Sequence, residues 1–211
     1  NENLPKMIKE KELIALYGKT GSGKTNILQE IKQKGYDVLD LEKCANHRGS
    51  LLGGIGLGGD ATKKNFEAYV MDSILKSKSD VIFTEGESKR IGSVVMPNYL
   101  FEEVFNARKF FIETDMDKRV EIIRKEYLKE SYDENEIFEA LEKLGRYIGE
   151  KRKNEYIEEL KNKEFDKVIK DLMENYYDNA YKTKSHTFEK TFYNADEEKC
   201  AEDIIKYVFG I

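Results

Sequence analysis

Residues 18–25 read GKTGSGKT, and no other feature of the chain limits its fold as tightly. The octet fits Gly-x-x-x-x-Gly-Lys-[Ser/Thr] at Gly18, Gly23, Lys24 and Thr25. The glycines let the backbone curl so that N–H groups along Lys19, Thr20, Gly21 and Ser22 turn toward phosphate oxygens. Lys24 adds a point charge, and the Thr25 hydroxyl suits Mg²⁺. The preceding run Glu12–Tyr17 (ELIALY) is mostly apolar, stops at Gly18, and reads as a buried parallel strand. From Lys24 to Lys34, Ile27, Leu28 and Ile31 recur at helical spacing and Gly35 ends the run. A strand, a glycine loop and a helix in that order put the positive end of the helix at the phosphate.

The alternation continues. Tyr36–Leu41 (YDVLDL), Val81–Thr84, Phe110–Ile112 and Thr187–Tyr193 read as further strands. Asn65–Leu75, a segment beginning near Pro97, Asp117–Glu130 and Asp196–Phe209 read as helices. Residues 49–60 are glycine-rich without a period, the composition of a mobile loop. From Ser131 to Lys184 the pattern is helical throughout. Asp133 and Glu136 have capping-box spacing, and one apolar stripe runs through Ile137, Phe138, Leu141 and Leu144. A second runs from Phe165 to Tyr176 through Val168, Ile169, Leu172 and Met173. The pattern predicts an α/β fold: a P-loop NTPase-like parallel sheet of about five strands, helices on both faces, and a helical insertion before the last strand. On this reading residues 1–130 and 185–211 form the core, and 131–184 a lid for substrate or tRNA recognition.

The net charge is −5, so a nucleic acid would have to meet a local basic patch. Arg146, Lys151, Arg152 and Lys153 make the best such run, with Arg119, Arg124 and Lys125 a second; a solvated helix face is the plainer reading of both. Cys44 and Cys200 lack metal or redox spacing and read as free thiols of a reducing cytoplasm. No apolar run reaches membrane-spanning length and no signal peptide opens the chain, so a cytoplasmic location without a membrane partner is expected.

A second acidic group is expected near the metal of a P-loop. Glu85, after the third strand, is one candidate; Asp40 and Glu42, ending the second, are the other. His47 and Arg48 follow the second strand on the usual ligand side of an open sheet. Arg48 suits a bidentate phosphate clamp, and His47 either an acid–base role or a hydrogen bond that fixes the loop. Glu87, Ser88 and Arg90 follow the third strand, where Arg90 meets either phosphate or Glu85 or Glu87. Tyr176 lies on an apolar stripe and reads as core, whereas Tyr177, Asp178 and Tyr181 fall partly off it, where a tyrosine can stack on a base.

Four segments, GKTGSGKTNIL (18–28), DVLDLEKCANHRGS (37–50), EGESKRIGSVVMP (85–97) and LMENYYDNAY (172–181), together resemble the P-loop domain of tRNA 2-selenouridine synthase. The likeness runs from about residue 12 to 184, with ANHRGS and YYD-x-x-Y its most specific elements. Cys44 stands where the family has an aliphatic residue, Lys89 where Arg is usual, and Asn179 where Pro is usual. The resemblance implies chemistry on wobble 2-thiouridine: geranyl transfer from geranyl diphosphate, exchange of sulfur for selenium from selenophosphate, or both. It implies phosphate binding by residues 18–25 and catalytic roles for Lys24, His47, Arg48 and Glu85. Contacts to substrate or tRNA are implied for Asn46, Arg48, Ser50, Glu87, Ser88, Arg90, Arg146, Arg152, Tyr177, Asp178 and Tyr181, with Mg²⁺ on Thr25 and Glu85 or Asp40. The tyrosines would equally line an apolar slot for a prenyl chain. These residues hold no rhodanese-like segment, so a split-type subunit with a separate rhodanese partner is expected. Two alternatives stand beside this reading: an ATP- or GTP-dependent small-molecule or nucleoside kinase, and a non-catalytic subunit that binds tRNA or a nucleotide.

Overall fold

A computed structural model describes residues 3–50, 52–128, 133–181 and 186–211. A short helix α1 (Leu4–Lys9) leads into β1 (Glu12–Tyr17), the glycine loop and α2 (Lys24–Gln33). The strand β2 is only Val38–Leu39, because Asp40 turns the chain at once into α3 (Leu41–Ala45) and caps it by accepting from Lys43 N at 2.8 Å. The predicted strand Tyr36–Leu41 is too long by two residues at each end, the last two because Asp40 and Leu41 belong to the helix start. Then come α4 (Lys63–Lys76), β3 (Val81–Glu85), a hairpin of β4 (Arg90–Ile91) and β5 (Val94–Val95), α5 (Asn98–Asn106), β6 (Arg108–Glu113) and α6 (Met116–Tyr127). A further run of helices follows α6, and the chain closes with β7 (Lys190–Tyr193) and a terminal helix (Glu197–Phe209).

Five strands form one parallel sheet in the order β2-β3-β1-β6-β7. This is the predicted α/β P-loop architecture. Alternate residues of the central strands enter opposite cores, as a two-residue period requires. Leu13 and Ile82 pack with Phe66, Val70, Leu100 and Val104 from α4 and α5. Ile14, Leu16, Phe83 and Phe110 pack with Ile27, Leu28 and Ile31 of α2 and Ile204 and Ile205 of the terminal helix. Because the strands are parallel, their carboxyl ends share one edge, where Leu16 stands in register with Glu85 and Phe110.

The segment before β7 is helical, as expected, but broken into short pieces. They are α7 (Glu134–Ile148), α8 (Glu150–Lys161), α9 (Phe165–Leu172), a π-helical turn (Met173–Tyr177) and α10 (Asp178–Ala180); Glu197–Phe209 is α11. Gly149 at φ +85° separates α7 from α8. Leu141, Leu144, Tyr156, Val168 and Leu172 form a small core of their own. Asp133 caps α7 by accepting from Asn135 N, but Glu136 does not complete a capping box: its carboxylate accepts from Gly56 N at 2.5 Å. The expected helix ends at Ser131 and Lys184, and residues 129–130 of the expected α6, lie outside the described residues. Among the described residues no helix is long and apolar enough to cross a membrane.

Candidate functional site

The glycine loop is held from behind by side chains that take its carbonyls. Arg119 Nε donates to Thr20 O at 2.9 Å, and Thr114 Oγ1 and Asn194 Nδ2 both donate to Ser22 O at 2.9 Å. With carbonyls engaged outward, the first-turn N–H groups of α2, which have no helical partners, are left toward the cleft. Gly23 caps α2 at φ +83°, and a Cβ there would stand 2.6 Å from Asn194 Nδ2, so both conformation and space demand glycine. Lys24 Nζ reaches back to Gly18 O at 3.2 Å.

The loop floors a cleft of about 390 Å³, lined also by Glu42, Arg48, Ser50, Glu87, Tyr127 and Tyr181. Of the acids, it is Glu42 that meets the loop: Thr25 Oγ1 donates to its Oε2 at 3.1 Å. Asp40 spends its carboxylate on the α3 cap. Glu85 is fully buried; one oxygen accepts from Leu41 N at 2.8 Å and the other has no partner. Glu42 and Glu87 are neighbours, since a Cβ on Gly49 would lie 2.5 Å from one carboxylate and 3.0 Å from the other.

Burial and mutual repulsion push Glu42, Glu85 and Glu87 toward their neutral forms. Desolvation, then Glu87, raises Glu42 to about 8. Desolvation, with Asp40 and Glu42, carries Glu85 well above the carboxylate range. Glu87 is also raised by burial, against the pull of Lys24. Burial of Lys24 favours its neutral amine, but Glu87, Glu42, Tyr181 and Glu85 outweigh it and hold its pKa up. These three glutamates thus surround a single ammonium, and a phosphate entering the cleft meets fewer negative charges than three ionised acids would present.

The segment YYDNAY folds directly onto the loop. Tyr181 Oη accepts from Gly18 N at 3.0 Å, and Asp178 binds Lys19 Nζ at 2.9 Å and both terminal nitrogens of Arg119. Tyr177 lies between Ser50 and the Leu52 backbone without a well-aligned hydrogen bond, and both it and Tyr176 pack against the small helical core while also lining the cleft. Arg48 lies 4.7 Å from the Tyr127 ring centre and donates to Ile55 O at 2.7 Å, while Ser50 Oγ sits 3.1 Å from Tyr127 Oη. These contacts, with Glu136 on Gly56, tie the described part of the glycine-rich loop to the helices.

Other sequence candidates fall elsewhere. His47 is buried between Gly53 and Gly92, each close enough that a Cβ would stand under 3 Å from the ring, and it does not line the cleft. Asn46 ends α3 at φ +50° and donates to Leu57 O and Gly59 O, a loop-fixing role. Ser88 lines the cleft and donates to Arg90 O, whereas Arg90 is exposed on β4 outside the lining. The basic run on α7 and α8 is largely neutralised internally: Arg152 pairs with Asp171 and Glu155, and Lys153 with Glu142 and Glu150. Arg146 is exposed and makes no ion pair among the described residues.

Beside the cleft is a half-open, almost wholly apolar pocket of about 80 Å³. Thr20, Ser50, Ile123, Tyr127 and Tyr177 line both spaces, so the two share one wall. Among the described residues no group of three His, Cys, Asp or Glu side chains is arranged to hold a metal ion.

The sheet order and the glycine loop ahead of α2 define an α/β protein of the P-loop NTPase-like fold. A family model described as the tRNA 2-selenouridine synthase AAA domain matches residues 11–208, and the chain belongs to that family. Over 189 residues it is 30% identical to the tRNA 2-selenouridine synthase of Hydrogenovibrio crunogenus, covering 79% of this chain and 51% of that one. Over 120 residues it is 36% identical to the same-named protein of Nitrosomonas eutropha, covering 55% and 30%. The matched segments thus span between about a third and a half of those relatives' length. Among solved structures, TT1252 from Thermus thermophilus overlays with a TM-score of 0.48 at 14% identity, covering 95% and 97% of the two chains.

Proposed function

We propose that this chain is the P-loop part of a transferase acting on wobble 2-thiouridine of tRNA, with geranyl diphosphate as donor. The observation that carries this reading is the shared wall between a phosphate-binding cleft and an apolar pocket. A prenyl diphosphate has both halves: an anionic diphosphate head for the loop and an apolar tail to lie against the apolar lining beside it. The thiouridine sulfur attacks the allylic carbon, the carbon–oxygen bond breaks, its electron pair leaves with diphosphate, and the base loses its N3 proton. Lys24 and the loop N–H groups stabilise the charge that grows on the leaving group. The phosphate of selenophosphate would be bound by the same groups in the exchange of sulfur for selenium.

Mg²⁺ fits the donors present. The Thr25 hydroxyl and Glu42 carboxylate are adjacent hard oxygens, and Mg²⁺ is commonly held by one or two such groups together with substrate phosphates. Bound there, it would neutralise the diphosphate. A separate rhodanese-like chain completes the proposal.

Titration calorimetry tests the ligand assignment. Geranyl diphosphate should bind more tightly than inorganic diphosphate, and Lys24→Ala should weaken both by roughly 10- to 100-fold, the worth of a charge-assisted hydrogen bond, while the unfolding transition is kept. Tighter binding of ATP than of geranyl diphosphate would favour a kinase instead.

A further inference from the structure

The two strands beyond β1 reach the phosphate loop through one residue each. β6 and β7 run parallel with Glu113 in register with Tyr193, so Thr114 and Asn194 come next, side by side at the carboxyl edge of the sheet. Asn194 N continues the ladder by donating to Glu113 O at 2.7 Å. By the two-residue period, position 114 shares a face with Phe110 and Ile112, and position 194 with Phe192, the face that packs on α2. Both side chains therefore arrive at the start of α2. There Thr114 Oγ1 and Asn194 Nδ2 each donate to Ser22 O at 2.9 Å. A carbonyl oxygen has two lone pairs, and here both are taken. Asn194 is fully buried, and its Oδ1 has no partner among the described residues. The bond left unmade costs at least as much as the bond made returns, so this asparagine adds little to stability while its side-chain bond goes to the loop.

We propose that Thr114 and Asn194 are paired positioning residues for phosphate recognition: together they fix the peptide between Ser22 and Gly23 so that the Gly23 N–H donates to the bound phosphate. This role rests on the phosphate-binding reading of the cleft and holds whichever donor carries the phosphate. In a trans peptide the C=O and N–H point in opposite directions. With the Ser22 carbonyl drawn toward the ends of β6 and β7, the Gly23 N–H is turned away from them, and Ser22 and Gly23 both line the cleft. Glycine at φ +83° sets little barrier to rotation of that peptide, so its orientation depends on what holds the carbonyl. Two accepted hydrogen bonds also polarise the peptide, which makes its N–H a stronger donor. Because both donors share one oxygen, either alone still holds it, and only the loss of both releases the peptide.

The test measures binding of inorganic diphosphate, by titration calorimetry, to the 211-residue chain and to Thr114→Val, Asn194→Ala, their combination and Thr114→Ser. Thermal unfolding identifies the folded variants. Each single loss should weaken binding by about twofold and the combination by about tenfold or more, beyond the product of the two, as donors sharing one acceptor require. Thr114→Ser keeps the hydroxyl and should bind as the wild type does. In amide spectra of the glycine-labelled chain, the Gly23 proton should move downfield when diphosphate is added to the wild type, less in Thr114→Val, and least in the combination. A residue that merely stabilised the fold would not change that shift. Thr114→Val removes only a hydroxyl from a half-buried site, so its Gly23 signal carries the test if the variants at 194 do not fold. Wild-type affinity in the folded combination, losses that only multiply, or a Gly23 proton that responds alike in every folded protein overturns the pairing. A wild-type chain that binds no diphosphate overturns the phosphate-binding reading itself and the positioning role with it, so the two failures are told apart.

Discussion

The Asp178 carboxylate spans the guanidinium fork of Arg119, with contacts of 2.6 and 3.0 Å, while Arg119 Nε holds the Thr20 carbonyl of the phosphate loop. One buried arginine thereby joins α6, the loop and the segment before β7. Desolvation raises the Asp178 pKa, but Arg119 and Lys19 more than offset it and hold the carboxyl below its ordinary range.

Asp178→Asn leaves Arg119 with a weaker partner at a position where the arginine is almost fully buried. Removing one member of a fully buried pair costs about 3–5 kcal/mol; Asp178 is partly exposed, so a loss of about 2–3 kcal/mol is expected. Urea unfolding should show this as a lower midpoint. Diphosphate affinity should fall as well, because the Thr20 carbonyl loses its fixed donor. A variant with wild-type stability and affinity would mean that the pair is incidental.

His47 predicts a pH effect on stability rather than on chemistry. Burial lowers its pKa, with Asp60 opposing, so the unfolded chain binds the proton more readily than the folded one. Its contribution is therefore present above about pH 6.5, the ordinary histidine value, and is lost as pH falls through the lower folded-state pKa. Denaturation midpoints measured at pH 7.5 and 5.5 should drop toward acid, and His47→Asn should flatten that part of the profile.

Both cysteines should be inert in the native protein. Burial, above all, pushes each thiol up to about 12, and both side chains are nearly inaccessible. A thiol-specific chromogenic reagent should label neither until denaturant unfolds the chain. Rapid labelling of Cys44 without denaturant would show that α3 opens readily.

Much of the fold was legible because the loop dictates its surroundings. ELIALY has the unbroken apolar character of a strand buried on both sides, and the observed β1 has the predicted bounds. The second strand was overread because Val38, Leu39 and Leu41 look continuous, whereas Asp40 prefers to cap a helix. That error also left Asp40 and Glu42 undistinguished: read as a strand end they are equivalent, but the start of α3 places Glu42 at Thr25 and leaves Asp40 behind as the cap. The hairpin at Arg90–Val95 is two residues a side, too short for a periodic signal. His47 was attractive for its titration range, yet its glycine neighbours at 53 and 92 are what a buried ring packed against backbone requires. Arg119 stood among other charges on a charged helix, and nothing in its spacing says that it alone is buried. Tyr181 and Asp178 were legible as off-stripe polar groups; their partners, 163 and 159 residues earlier in the chain, were not.

The central claim concerns what the phosphate loop serves, and one assay addresses it most directly. The chain is incubated with thiolated tRNA, geranyl diphosphate and Mg²⁺, the tRNA is digested, and its nucleosides are analysed by mass spectrometry, with an ATP-turnover assay alongside. The expected result is a wobble 2-thiouridine carrying the mass of one geranyl group, absent with Lys24→Ala. No mass gain on the tRNA, with turnover of ATP instead, would contradict the account.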